Sequence, residues 1–340
     1  MEGPPGRHLR DGLPSYEDLK QRTDRPAGSS WGVFGEDDHL GTLNFLTPER
    51  VVAATRLAKR GVVFNLDYPL DAFTPPPVST RSVPRHHIFQ TNPNHRDDWL
   101  DGVYLQGTSQ IDGLRHIRHP EHGFYGGVAD TEVAVGQPAL GIQEVAEHGI
   151  VGRGVLLDVA RQRQADGPAP AGSAWSISPA DLDRTADRQG VAVEAGDVVL
   201  VRTGWAGEFM ARSTDERWRR AFGREPSPGL HQSEATLAWL WDHRVALVAA
   251  DNVAVEAFPV DPDSGLVDPD ETAVEEGGNH NGMLHRPWIA LLGLFLGELW
   301  RLDDLAADCA EDGVYEFLVT AKVLNLVGGV GSPANAMAVK

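Results

Sequence analysis

The segment 105–119 has the sequence LQGTSQIDGLRHIRH, which is rich in Gln, Gly and His and short of apolar residues. Asp112 and His116 stand four positions apart in it, and Gly107 and Gly113 allow the backbone to turn tightly nearby. A carboxylate beside an imidazole can hold a cation, or can orient the imidazole as a general base. A hydrogen-bonded loop whose polar side chains satisfy backbone groups would explain the same composition. Spacing alone leaves both interpretations open.

A second candidate group, His285 and Glu298, lies in the stretch NHNGMLHRPWIALLGLFLGEL. On one unbroken helix, at about 100° per residue, the two side chains would point to nearly opposite faces, about 20 Å apart. If Gly293 ends the helix and LFLGE returns as a strand, both side chains can reach one cleft. The alternative is a surface histidine and a buried, ion-paired glutamate.

The composition is that of a large globular chain with an acidic surface. Its 340 residues, 41% hydrophobic and 23% charged, suffice for one large domain or two ordinary ones. The 49 acidic residues outnumber the 30 basic ones, and the formal charge of -19 disfavours binding to a phosphate backbone. We therefore expect no nucleic-acid partner.

The cellular setting is predicted from what the sequence lacks. Cys309 is the single cysteine, which permits no internal disulfide and no multi-cysteine zinc site. The first residues lack the apolar stretch of a signal peptide. The run WIALLGLFLGELW contains a glutamate and is shorter than the roughly 18 residues that cross a bilayer. We expect a cytoplasmic protein that does not enter a membrane.

Helical and strand patterns alternate along the chain, which favours an α/β fold with a largely buried sheet. Thr47 and Pro48 are typical of a helix start, and Ser178 is a candidate cap for a second helix. GVLLDVA, GDVVLVRTGW and VALVAAD are short apolar runs typical of buried strands. We expect residues 1–30 to form a partly ordered N-terminal arm and residues 31–340 a single domain, with 74–104 and 119–130 as loops around the pocket.

Several segments together resemble the metal-dependent cyclase/hydrolase family that includes bacterial kynurenine formamidase and isatin hydrolase. They are WGVFGEDDHLGTLNFLTPERV, GVLLDVA, GDVVLVRTGW, HRPWIALLGLFLGELWRLDDLA and GGVGSPANAMAV. The resemblance runs from about Trp31 to the C-terminus. It implies a swivelling β/β/α domain, with a mixed, largely buried sheet flanked by helices, that assembles as a homodimer or homotetramer.

The family signature is His-x-Gly-Thr-His-x-Asp-x-Pro-x-His, and its Asp aligns with Asp112. This alignment places Gln106 and Gln110 on the two leading histidines and His116 on the last one. Thr108 and Ser109 fall on Gly-Thr, and Leu114 on the proline. The resemblance implies a metal site formed by Asp112, Gln106, Gln110, His285 and Glu298. It implies His116 and Asp112 as catalytic residues.

The two glutamines change the expected cofactor. An amide oxygen suits a hard cation, so Mn²⁺ or Mg²⁺ is favoured over Zn²⁺. If the glutamines abolished the site, no metal is expected. In that case the amides of Gln106 and Gln110, with Ser109, could contact the substrate and donate hydrogen bonds to a developing oxyanion.

The resemblance predicts a cyclase or hydrolase acting on a C–N bond of a small, aromatic substrate: an arylformamidase-like attack by activated water on an amide, formamide or lactam. A non-catalytic binding protein derived from the family is the first alternative. A metal-independent lyase or isomerase that uses Asp112 and His116 is the second.

Overall fold

The computed structural model describes residues 12–167, 175–219, 225–271 and 280–340. Its helices are α1 (Tyr16–Lys20), α2 (Pro48–Thr55), α3 (Ile142–His148), α4 (Val159–Asp166), α5 (Pro179–Gln189), α6 (Trp205–Met210), α7 (Thr214–Arg219), α8 (Glu234–Asp242) and α9 (Asp303–Asp312). Short 3-10 helices span Gly41–Phe45, Tyr125–Gly127 and Asp130–Glu132, and a π-helical segment spans Arg286–Leu291.

The strands are β1 (Val63–Asn65), β2 (Arg85–Asn92), β3 (His95–Asp101), β4 (Gln110–Asp112), β5 (Ile150–Leu157), β6 (Ser176–Ile177), β7 (Val198–Val201), β8 (Gly229–Leu230), β9 (Leu247–Ala250), β10 (Phe295–Glu298), β11 (Glu316–Ala321), β12 (Gly331–Pro333) and β13 (Ala336–Val339). Nine of these described strands form one sheet in the order β1-β13-β11-β5-β7-β9-β10-β4-β12. Strands β2 and β3 form a hairpin, and β6 pairs with β8.

The centre of the sheet is parallel and its two sides are antiparallel. Strands β5, β7, β9 and β10 run parallel, and the last three are buried along their whole length. Such burial suits their continuous apolar sequences, because helices cover both faces of a parallel sheet. The predicted α/β fold, with a mixed, largely buried sheet flanked by helices, is confirmed.

The helix starts that the sequence indicated are also present. The hydroxyl of Thr47 accepts a hydrogen bond from the backbone of Arg50 at the start of α2. Ser178 and Asp181 form a reciprocal capping box at the start of α5. Each cap satisfies backbone N–H groups that have no partner inside the helix.

Gly293 separates the π-helical segment from β10. It has a φ of 67°, and a Cβ built on it would lie 2.5 Å from the ring of Tyr125. The backbone of Gly41 is also close, on the other side. The chain therefore leaves the helix at Gly293 and re-enters the sheet at Phe295, as one of the two sequence interpretations required.

The region 74–104 is a correction to the sequence prediction, because it contains the β2–β3 hairpin and is not a simple loop. The polar sequence of this region does not alternate between buried and exposed residues, so it does not predict strands. Both strands are exposed along almost their whole length. Ile88 is 67% exposed and Trp99 is 51% exposed. The hairpin thus presents apolar side chains that the rest of the described chain does not cover.

The described part of the predicted arm, residues 12–30, packs on the domain. Tyr16 and Leu19 of α1 are buried, and the backbone of Tyr16 donates to Asp242 at the end of α8. The indole of Trp241 donates to the carbonyl of Pro14. The boundary between arm and domain stays a prediction. Every described helix is too short or too polar to span a bilayer.

Replacing Gly293 with Ala should destabilise the protein by about 2–4 kcal/mol, since it adds overpacking to the strain of a left-handed residue. Gly61 is the matched control, because it has a φ of 69° and no atom within 4 Å of the place where a Cβ would lie. Gly61→Ala should therefore cost only about 1 kcal/mol. Urea unfolding of both variants measures the difference, and equal losses would contradict the steric explanation.

Candidate active site

Strands β4 and β10 bring the predicted polar residues to one place. Gln110 and Asp112 are two positions apart on β4, so their side chains lie on the same face of the sheet. Glu298 is the register partner of Gln110 on the neighbouring strand β10. The amide of Gln110 donates to the Glu298 carboxylate at 2.6 Å. The sheet register itself therefore places three of the predicted site residues side by side.

The break at Gly293 adds His285 to this group. Nε2 of His285 lies 3.2 Å from Oε1 of Glu298. Asp112, His285 and Glu298 are all buried, and one ligand atom from each lies within 4.8 Å of the others. This is the geometry of three potential ligands converging on a metal ion.

Several oxygens in this group have no hydrogen-bond partner. Both carboxylate oxygens of Asp112 and the amide oxygen of Gln110 are buried and unpaired among the described residues. A buried polar atom left without a partner costs on the order of 1–3 kcal/mol, and a carboxylate costs more. A divalent cation would satisfy these oxygens together, so the residues fit a metal. The oxygen-rich donor set, with a single imidazole, suits Mn²⁺ or Mg²⁺.

Glu256 is a component of the site that the sequence prediction missed. Its carboxylate lies 2.6 Å from Nδ1 of His285 and accepts the backbone N–H groups of Leu284 and His285. A carboxylate behind a ligand histidine fixes its ring and its tautomer. The available signal was a charged residue inside the apolar sequence NVAVEAFPV, but the partner lies 29 positions away.

The electrostatics of the group favour positive charge. Burial lowers the pKa of His285, but the hydrogen bonds and charges of Glu256 and Glu298 outweigh it and raise this pKa to about 10. Burial, with the nearby Asp112 carboxylate, raises the pKa of Glu298 to about 7. The group thus retains protons that a metal ion would displace on binding.

His116 lies next to this group and contacts the first of the two glutamines. Nε2 of Gln106 is 2.9 Å from Nδ1 of His116, whose Nε2 is 3.9 Å from Asp112. The rings of His116 and His285 are 6.4 Å apart between centroids. Burial lowers the pKa of His116, so its imidazole is neutral near pH 7 and able to accept a proton.

Ser109 and Gln106, two further residues of the predicted site, make specific contacts in the structure. The hydroxyl of Ser109 donates to the carbonyl of Leu299 at 2.6 Å and accepts from the backbone of Tyr68. Its one proton is therefore engaged with Leu299 in this arrangement, and its oxyanion role stays a prediction. Gln106, predicted as a metal ligand, is half-buried and contacts His116 through its amide.

Comparisons with known proteins show which family and which solved structures the chain is similar to. A family model described as putative cyclase matches residues 64–257. A solved structure described as a novel cyclase has 33% sequence identity and a TM-score of 0.78, covering 92% of this chain and 99% of that chain. Comparison with curated protein sequences gave no significant match.

Two more distant structures share the fold. Isatin hydrolase A from Labrenzia aggregata, bound to benzyl benzoate, has 17% identity and a TM-score of 0.54, covering 82% of this chain and 93% of that chain. Isatin hydrolase A from Ralstonia solanacearum has 16% identity and a TM-score of 0.53, covering 86% of this chain and 97% of that chain.

Replacing Glu256 with Gln should lower divalent-metal affinity by about 10–100-fold, since it removes the carboxylate that orients His285 without removing a ligand. Competition with a chelating indicator measures the affinity. Glu271→Gln is the control, because Glu271 pairs with the neighbouring Arg286. Unchanged affinity in Glu256→Gln would show that His285 needs no such support.

Proposed function

This chain belongs to the cyclase family of hydrolase-type enzymes, and from that premise we propose that it cleaves or closes a C–N bond of a small substrate with the help of a divalent metal ion. The substrate class is an amide, formamide or lactam, and an aromatic formamide is the first candidate. The observation that carries the proposal is the set of unpaired buried oxygens on Asp112 and Gln110, beside the neutral imidazole of His116.

Asp112, Gln110, Glu298 and His285 would hold the metal, and Glu256 orients His285 from behind. A bound Mn²⁺ or Mg²⁺ supplies Lewis acidity, which polarises a carbonyl group and makes water more acidic. The buried side chains exclude bulk water from this position, which strengthens every charge interaction there.

His116 acts as the general base in this proposal. It takes a proton from the attacking water as the C–O bond forms, and it returns a proton to the nitrogen as the C–N bond breaks. Gln106 supports both steps. Its amide group can donate to Nδ1 of His116 and, turned by half a rotation, can accept from Nδ1–H, so it fits either tautomer. Run in the opposite direction, the same proton transfers close a ring.

Two variants test the function. Elemental analysis of the wild-type protein should find one equivalent of a divalent metal, and Asp112→Asn should lose it, because a neutral amide binds cations weakly. His116→Ala should keep the metal but lower kcat/KM for formanilide by about 10²–10⁴-fold. Asp197→Asn, another buried aspartate, and His86→Ala, on the hairpin, are the controls.

Retained metal in Asp112→Asn would remove that residue from the ligand set. Turnover that persists in both Asp112→Asn and His116→Ala would show that this site does not carry out the hydrolysis. Turnover that requires His116 but is indifferent to a chelator would instead support the metal-independent use of the Asp112–His116 pair.

We also propose that the chain self-associates through the β2–β3 hairpin. A two-stranded hairpin alone is marginally stable, and this one exposes Phe89 and Trp99 on one of its faces. Arg85 of β2 lies opposite Asp101 of β3. If two hairpins stack about a two-fold axis parallel to their strands, Arg85 of each chain faces Asp101 of the other, so opposite charges meet.

Light scattering should therefore give a mass at least twice the 36.8 kDa of one chain. Phe89→Asp should shift the protein toward the monomer, because it buries a charge in the contact. Val52→Asp is the control, since Val52 is comparably exposed on α2. A monomeric wild-type protein, or equal effects of both variants, would refute association through the hairpin.

A further inference from the structure

We infer that Arg81 binds an anionic group of the substrate, so that the site selects amides or lactams that also bear a carboxylate. The inference rests on the proposed function and narrows its substrate class. Arg81 lies between the Pro-rich segment and the hairpin, and neither the sequence motifs nor the ligand set assigns it a role.

The position of Arg81 is fixed by the active-site loop. Its Nη1 donates a hydrogen bond to the backbone carbonyl of Gln106. The side chain of that same residue contacts His116 at 2.9 Å. The guanidinium is thus attached to the residue that orients the proposed base, on the loop that leads into β4. It is half-buried, so it remains accessible to a ligand.

Arg81 differs from the other arginines near the site in having uncommitted donors. Arg115 donates to the backbone carbonyls of Gly328, Glu132, Gln137 and Ala139. Arg286 pairs through two nitrogens with Glu271. Arg81 makes one hydrogen bond to a carbonyl and no ion pair with any residue that the structure describes.

A half-buried guanidinium with free N–H groups is well suited to a carboxylate. Five donors in a planar fork match the two oxygens of a carboxylate, and such charge-assisted bonds are stronger than neutral ones. The pKa of His116 is consistent with a guanidinium close to the site. Burial, chiefly, lowers the pKa of His116, and the positive charge of Arg81 contributes in the same direction.

A purely structural role is the competing explanation. Arg81 could brace the loop through Gln106, or could offset the negative charge of Asp112 and Glu298. Either role would affect neutral and anionic substrates alike, or would alter metal content. Selective loss of anionic ligands distinguishes substrate binding from both.

The first test compares 2-formamidobenzoate with formanilide, which differ only by the carboxylate. In Arg81→Gln, kcat/KM for 2-formamidobenzoate should fall by about 10–100-fold, the value of a charge-assisted hydrogen bond. The value for formanilide should stay within about two-fold, and Arg81→Lys should restore part of the loss. Arg56→Gln, an exposed arginine at the end of α2, is the control. Equal losses for both substrates, or no loss, would overturn the inference.

The second test separates this inference from the proposed function. Calorimetric titration with benzoate and with benzamide requires no turnover. The wild-type protein should bind benzoate more tightly than benzamide, and Arg81→Gln should lose that preference while keeping its metal content. If neither formamide is hydrolysed but this pattern holds, the reaction is wrong and the anion site stands. If the wild-type protein shows no preference for benzoate, the anion site is refuted whatever the reaction.

Discussion

The site depends on an excess of buried negative charge. Asp112, Glu298 and Glu256 converge on the single imidazole of His285, and all four side chains are buried. Isolated carboxylates are too costly to bury, so they must retain protons or share a cation. Glu298 and His285 show the first outcome, because their raised pKa values keep protons on both groups. A metal ion is the other solution, and the unpaired oxygens of Asp112 are positioned for it.

The backbone around this charge cluster tolerates little change. Gly293 must turn with a positive φ to bring the end of the helix back to the sheet, and it does so against Gly41 and Tyr125. Without that turn, His285 and Glu298 would lie far apart. The backbone N–H of Thr42 donates a hydrogen bond to the carbonyl of Gly293 and so holds this turn in place. Packing at two glycines thus determines whether the ligand set forms at all.

Sequence was sufficient where the determinants lie within a few residues, as at the helix caps Thr47 and Ser178. The hairpin was missed because its strands bury nothing in the single chain, and periodicity reports only burial. At the site, the resemblance identified three residues that the structure brings together, but it could not supply their partners. Glu256 was missed, because its partner His285 is remote in sequence. Side-chain roles depend on contacts that only the folded chain creates.

The two glutamines have different consequences, although both replace signature histidines. Gln110 lies on β4 inside the buried group, where its unpaired oxygen adds a hard donor to the ligand set. Gln106 is half-buried, and its amide contacts His116. An amide oxygen in place of an imidazole suits a hard cation better than Zn²⁺, whereas the amide at position 106 contacts the proposed base.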